Sequence, residues 1–186
     1  MDLIKDFIER NNIGSAVSAT KAVAEIPWGK GRTIEEVLQE KGVGTCTGKH
    51  LVLQECLEEL GIEFRPIVCT FKWEDQGISF PDNLLSLLKI APWEHGHNFV
   101  QIKNSNDEWI DVDITWDPPL ESYGFKVLPT DWDGQTSFLG VKTITRWDGI
   151  DMKQKKKELI EGLSEEQEIA REEFLNSFID WIASLR

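Results

Sequence analysis

Gly61 divides the middle of the chain into two periodicities, and this constrains the fold more than any other single feature. Upstream, Leu51, Val52, Cys56, Leu57 and Leu60 recur at helical spacing, which predicts a helix starting at Thr45 or Cys46 with one apolar face. Gly61 stands where such a helix would end in a left-handed residue, a conformation glycine adopts without a Cβ penalty. Downstream the period becomes extended, and 63–71 reads as a strand. Two further strands are predicted at 97–103 and 109–115. The turn-forming run Asn104-Ser105-Asn106-Asp107 joins them, so they are expected to pair as an antiparallel hairpin.

Helical patterns flank this segment. Leu3, Ile4, Phe7 and Ile8 predict an amphipathic helix over 2–10, broken at Asn11-Asn12-Ile13-Gly14. A second helix is expected over 15–25, before Pro27, and 28–32 reads as a loop. Thr33 and Glu36 have capping-box spacing and open a short helix. Another short helix is predicted at 81–88, with Pro92 marking its exit. Residues 116–136 read as irregular and 138–145 as a strand. Two helices close the chain, one over 151–162 and one from a second capping box, Ser164 and Gln167, to about 185. No repeat, low-complexity tract or boundary divides the 186 residues, which suit a single domain over 1–186, with 151–186 as a C-terminal helical extension.

Charge and cysteine usage narrow the function. With 33 acidic and 20 basic residues the formal charge is −13, which repels a phosphate backbone and argues against nucleic acid as partner. The lysines of 153–157 are flanked by acids and read as a solvated helix face. Three cysteines, at 46, 56 and 69, make no disulfide framework and suit a reducing compartment. The N-terminus is amphipathic rather than a basic-then-apolar leader. No apolar run approaches the ~18 residues that span a bilayer. A cytoplasmic protein without membrane contact is therefore expected. The eight tryptophans suit cleft walls as well as cores.

Cys46 stands out among the thiols. It lies in Gly44-Thr45-Cys46-Thr47-Gly48, where a small-residue loop becomes a helix. A thiol there feels the positive end of the helix dipole, which favours the thiolate, and the first free N–H groups can donate to an oxyanion. A free cysteine is most often a small buried hydrophobe. Cys56 and Cys69 fit that description; Cys46, among polar and glycine neighbours, does not. A thiolate needs a base, and the base an orienting group. Of the three histidines, His50 lies one turn along the same helix and reads as a surface or rim group. His95 precedes the predicted strand that His97 begins. Asp111 and Asp113 share one face of the strand expected to pair with that of His97, within reach of an imidazole.

These residues resemble the transglutaminase-like superfamily. Gly44-Thr45-Cys46, followed by Gly61-Ile62 and Arg65, is similar to the family's nucleophilic Cys opening a helix that ends in a Gly-Ile-x-x-Arg turn. His97-Asn98-Phe99 resembles its His-x-aromatic strand. Trp109-Ile110-Asp111-Val112-Asp113-Ile114-Thr115 resembles its Trp-x-x-Val-Asp-x-Thr strand, which puts the orienting carboxylate at Asp113. The likeness covers about residues 40–120 in the order Cys, His, Asp. It implies a papain-like α+β core, with the Cys helix packed on an antiparallel sheet carrying His97 and Asp113, and a Cys46–His97–Asp113 triad for thiol acyl transfer. Lys49 and His50 stand where members often carry an aromatic and a small residue, and Ile114 replaces a frequent proline. The Arg-Gly-Gly-x-Cys-x-Glu signature of the related arylamine N-acetyltransferases is absent around Cys46, which argues against acetyl-CoA. Candidates for oxyanion or cleft contacts are Trp28, whose indole N–H could donate or whose ring could simply anchor its loop, and Thr45.

The leading expectation is a cofactor-free thiol enzyme acting on a protein, peptide or small amide carbonyl. Hydrolysis is slightly favoured over transamidation, because 186 residues leave little room for accessory modules. Two alternatives stand beside it. One is an inactive transglutaminase-like binding module. The other is a metal site of Cys46, His95 and His97, which lacks the companion C-x-x-C or H-E-x-x-H pattern of zinc proteins.

Overall fold

A computed structural model describes residues 2–185, which form a mixed α+β domain. Its helices are α1 (Leu3–Arg10), α2 (Ala16–Ala24), α3 (Cys46–Glu59), α4 (Asp82–Ile90), α5 (Met152–Glu161) and α6 (Glu165–Ser184). Its strands are β1 (Phe64–Phe71), β2 (His95–Lys103), β3 (Trp109–Val112) and β4 (Arg146–Asp148), in the antiparallel order β3-β2-β1-β4.

Local chemistry fixes the boundaries. The Asp2, Ser15, Thr45, Asp151 and Ser164 side chains each cap the helix that follows, satisfying an otherwise orphaned N–H. Gly61 ends α3 at φ +67°, and the Ile62 N–H returns to the Leu57 carbonyl. In the β2–β3 turn Asn104 accepts the Asn106 and Glu108 N–H groups on its side-chain oxygen, while Asp107 takes positive φ.

Two large cores form, beside a small cluster of Ile67, Cys69 and Phe99 on the sheet. In the first, Val52, Leu53, Cys56 and Leu57 of α3 pack with Val100 and Ile102 of β2, Ile110 and Val112 of β3, and residues of α1 and α2. The second is aromatic. Phe174 and Phe178, one helical turn apart on α6, are fully buried with Trp73, Phe80, Trp93 and Trp116. Burial of each such ring is worth about 2–3 kcal/mol, so α6 is a core element. Trp28, Trp73, Trp93, Trp116 and Trp132 are all buried, and most of the tryptophan serves packing.

The expected strand over 138–145 does not form. Phe138 makes one bridge to Val112, and the Gly140 N–H is then diverted to the Asp113 carboxylate at 3.2 Å, which takes the chain out of the ladder. Backbone pairing with β1 resumes at Ile144 and Thr145, which bond Thr70, and continues into β4 opposite Ile67–Cys69. β3 stops at Val112 for a related reason: the Thr115 N–H bonds the Asp113 side chain at 3.1 Å instead of a strand partner. The short helix after Thr33 widens into a π-turn over Glu36–Glu40. Among the described residues no helix is long and apolar enough to cross a membrane.

Candidate active site

Thr45 sets the position of Cys46. Its Oγ1 accepts the Gly48 N–H at 3.2 Å and donates to the Gly31 carbonyl at 3.0 Å, and its own N–H donates to that carbonyl at 2.7 Å. Both Thr45 donors are thereby spent in holding the loop, which leaves neither for an oxyanion. The contact needs glycine on both sides: a Cβ on Gly31 would stand 2.0 Å from the Val43 carbonyl oxygen, and one on Gly48 2.4 Å from that of Gly31. Cys46 is the first residue of α3 and half-buried, so its N–H lies at the electropositive helix end without an intrahelical acceptor.

His97 stands behind the thiol, 1% exposed. Its Nε2–H donates to Asp113 Oδ2 at 2.8 Å, which leaves Nδ1 as the ring nitrogen available to Cys46. Asp113 is fully buried and saturated. Oδ2 also accepts the Gly140 N–H, and Oδ1 accepts the Thr115 N–H and, at 2.6 Å, its hydroxyl. Four donors on one buried carboxylate favour its anion and fix its plane. Asp111 is engaged elsewhere, since Arg146 clamps both its oxygens at 2.7 and 2.9 Å and Gln101 donates to Oδ1.

His50 is fully buried, not at the rim. Its Nδ1 lies 2.7 Å from the Cys46 carbonyl, which can only accept, so Nδ1 carries the proton. Nε2 then accepts the Ile114 N–H at 3.3 Å. Proline at 114 could not make that bond. The neighbouring Lys49 is also buried and donates Nζ to the carbonyls of Ala24 and Thr115 at 3.0 and 3.2 Å. Together Lys49 and His50 tie 114–115 to α3, holding Asp113 in register with Cys46.

Nor is the lysine run wholly solvated. Lys156 of α5 reaches in and donates Nζ to Asn98 Oδ1 at 2.5 Å and Thr47 Oγ1 at 2.8 Å, 3.8 Å from Cys46 Sγ. The sequence did carry a signal for this. Lys156, Leu159, Ile160 and Leu163 fall on one helical face, and all four line the cavity beside Cys46.

The electrostatics follow from these contacts. Burial pushes the Cys46 thiol up, but the charge of Lys156, then the charge and hydrogen bond of His97, outweigh it and bring the pKa down to about 6. Burial would lower His97, yet the charges of Asp113 and Cys46 and the hydrogen bonds to both raise it to about 9. Asp113, despite burial, is held far below the usual carboxylate range by His97. Burial lowers His50 to about 4, which keeps it neutral. Burial raises the Cys56 thiol to about 12 and Cys69 still further. These influences favour a Cys46 thiolate, a His97 imidazolium and an Asp113 carboxylate near neutral pH, and keep the other two thiols protonated.

Trp28 lines the same cavity, of about 530 Å³, with its backbone N–H on Asp117 Oδ1 at 2.6 Å and its ring against Trp116 and Phe178. His95 also lines it, packed on Phe71 and Trp73. Among the described residues no three His, Cys, Asp or Glu side chains converge as a metal-binding group. Helices α5 and α6 form a wall of this cavity through Lys156, Leu159, Arg171 and Leu175. Comparison with protein-family models and with curated proteins finds no match.

Proposed function

We propose that the protein is a thiol-dependent acyl-transfer enzyme acting on amide or peptide carbonyls, with Cys46 as nucleophile, His97 as general base and acid, and Asp113 as orienting group. The observation that carries this reading is the saturated Asp113 carboxylate holding buried His97, whose charge, with that of Lys156, depresses the Cys46 thiol to about 6 at a helix start. A buried structural cysteine has no use for that arrangement, as Cys56 and Cys69 illustrate.

In the reaction, Cys46 Sγ attacks the carbonyl carbon. The tetrahedral oxyanion meets the Cys46 N–H at the start of α3, and Lys156 Nζ lies within reach of the same region. The C–N bond then breaks, and the amine leaves with the proton from His97, giving a thioester. A water molecule, or an amine where one is bound, gives its proton to His97 and attacks the thioester. The thiolate departs and the imidazolium–thiolate pair is restored. Asp113 keeps Nε2 protonated and Nδ1 aimed at sulfur throughout.

A papain-like, transglutaminase-like core belongs to the same proposal. It is supported by the packing of the Cys46 helix on the antiparallel sheet of His97, by Asp113 at the end of the hairpin, and by their chain order.

The test is the pH dependence of iodoacetamide alkylation, read by peptide mass spectrometry, in the wild type and in His97→Ala. The expected result is labelling of Cys46 alone, half-maximal near pH 6, with this acid reactivity lost in the variant. Reaction only near the ordinary thiol pKa of about 8.5, unchanged by the substitution, would overturn the proposal.

A further inference from the structure

The cavity beside Cys46 is richer in cations than the composition prepares for. Arg32, Lys156 and Arg171 line it, against Glu94 and Glu172, in a chain with 33 acids to 20 bases. Lys156 is spent on Asn98 and Thr47. Glu94 accepts the Thr70 hydroxyl at 2.6 Å. Arg32 and Arg171 have side chains with no hydrogen bond or ion pair among the described residues. Elsewhere arginine is engaged: Arg10 donates to the Asp6 carbonyl, Arg65 lies 3.8 Å over the Trp109 ring, and Arg146 clamps Asp111.

The two guanidiniums come from distant parts of the chain, Arg32 from the loop before α3 and Arg171 from α6. Arg171 is half-buried, and after burial the charge of Arg32 is the strongest influence lowering its pKa. Glu172 and Glu168 oppose that influence without coming within ion-pairing distance. The half-buried guanidinium of Arg171 and the exposed one of Arg32, both lining one cavity in an acidic protein, together suit an anion. A guanidinium fork matches a carboxylate in two parallel hydrogen bonds. A phosphate dianion would suffer more from Glu94, Glu172 and the thiolate than a carboxylate of single charge.

We propose that the acyl donor carries a carboxylate close to its scissile carbonyl, bound between Arg32 and Arg171 while Cys46 attacks. This rests on the thiol-enzyme reading and narrows its substrates to amides bearing an acidic group. The carboxylate is a peptide side chain or part of a small dicarboxylic amide.

Iodoacetate and iodoacetamide test it, because they differ only in carboxylate against carboxamide. The quantity to measure is the ratio of their alkylation rates at Cys46, in the wild type, Arg32→Gln, Arg171→Gln and Arg171→Lys. Both reagents need the thiolate, so changes in thiol pKa cancel in the ratio. Each glutamine variant is expected to lower the ratio about three- to tenfold at low salt, the effect of one partly screened charge at close range. Arg171→Lys, which keeps the charge but not the fork, is expected to retain part of it. An unchanged ratio in both glutamine variants overturns the anion site, even if Cys46 reacts at pH 6 as the triad requires. Measured also at pH 8.5, where an ordinary thiol reacts, the ratio scores the arginines even if the triad reading fails. Protection of Cys46 by a capped Gly-Glu-Gly peptide, against protection by free glutarate, then tells the two carboxylate sources apart.

Discussion

Lys156→Met isolates the largest single influence that makes Cys46 acidic. Lys156 Nζ lies 3.8 Å from Sγ, and its charge exceeds even that of His97 among the effects lowering the thiol pKa. Two unit charges at that distance attract by about 4 kcal/mol at an effective dielectric constant of 20 and about 1 kcal/mol in bulk water. Cys46 is half-buried against a cavity, so the operative value falls between these limits. At 1.36 kcal/mol per pH unit, removal of the ammonium raises the midpoint of thiolate formation from about 6 by about one to two pH units. Methionine keeps the apolar stem packed and removes only the charge and its donors.

The assay is the Cys46 alkylation rate against pH, with iodoacetamide limiting and the peptide quantified by mass spectrometry. At pH 6 the variant is expected to react about five to fifty times more slowly, and to converge on the wild-type rate above pH 9, where both are thiolate. A companion measurement on His97→Ala separates the two cations, since Lys156→Met leaves the imidazolium near about 9 intact. A midpoint that stays within about 0.3 pH unit of the wild type would refute the reasoning. Lys156 would then be a mere neighbour of Thr47 and Asn98.

Two further outcomes follow from the same contacts. His50→Phe removes two hydrogen bonds of a fully buried side chain, to the Cys46 carbonyl and from the Ile114 N–H, and is expected to lower stability by about 2–4 kcal/mol in urea unfolding. Because His50 is neutral its removal takes no charge from the site, and a stability within about 0.5 kcal/mol of the wild type would refute the structural role of both bonds. The second outcome concerns pH: Cys46, depressed to about 6, adds stability that is full above its ordinary value of 9.0 and is lost as pH falls through 6, while His97, raised to about 9, adds stability that is full below 6.5 and lost as pH rises through 9. Between pH 6.5 and 9 the two slopes cancel, so Cys46→Ala, which keeps the His97–Asp113 pair, should lose stability relative to the wild type as pH rises across that window, and parallel stability–pH curves would refute the ion pair.

Much of the fold was legible because its signals are local. Caps at Ser15, Thr45 and Ser164, the left-handed Gly61 and the Asn104 turn each act within a few residues, and each stands where the sequence pattern put a boundary. The strand expected over 138–145 failed because its alternation was real but its hydrogen bonds had a better use. Gly140 donates to Asp113, a residue far away in sequence whose buried charge outbids a ladder partner. Likewise the apolar face of α6 was visible as a period, whereas its place inside an aromatic core depended on rings from several distant segments.

The candidate site divides along the same line. Cys46, His97 and Asp113 each announce themselves by position on an element, at a helix start or on a hairpin, and position survives without knowledge of contacts. Thr45 and Trp28 were legible as neighbours of Cys46, but that the Thr45 hydroxyl is spent on Gly31, and that the Trp28 backbone is pinned by Asp117, depends on partners that only the fold supplies. Lys49, His50 and Ile114 looked like three unrelated departures from a familiar pattern. In the folded chain they form one device, in which the Ile114 N–H that proline would lack meets His50 while Lys49 holds the next carbonyl. Lys156 was hidden differently, as one of several similar lysines, and only the apolar residues three, four and seven places further on mark its face as inward. The parts that set the site's charge are thus carried by elements outside the motif-bearing segment. For that reason a motif can locate the candidate thiol, while its acidity must be read from the helices that line the cavity beside it.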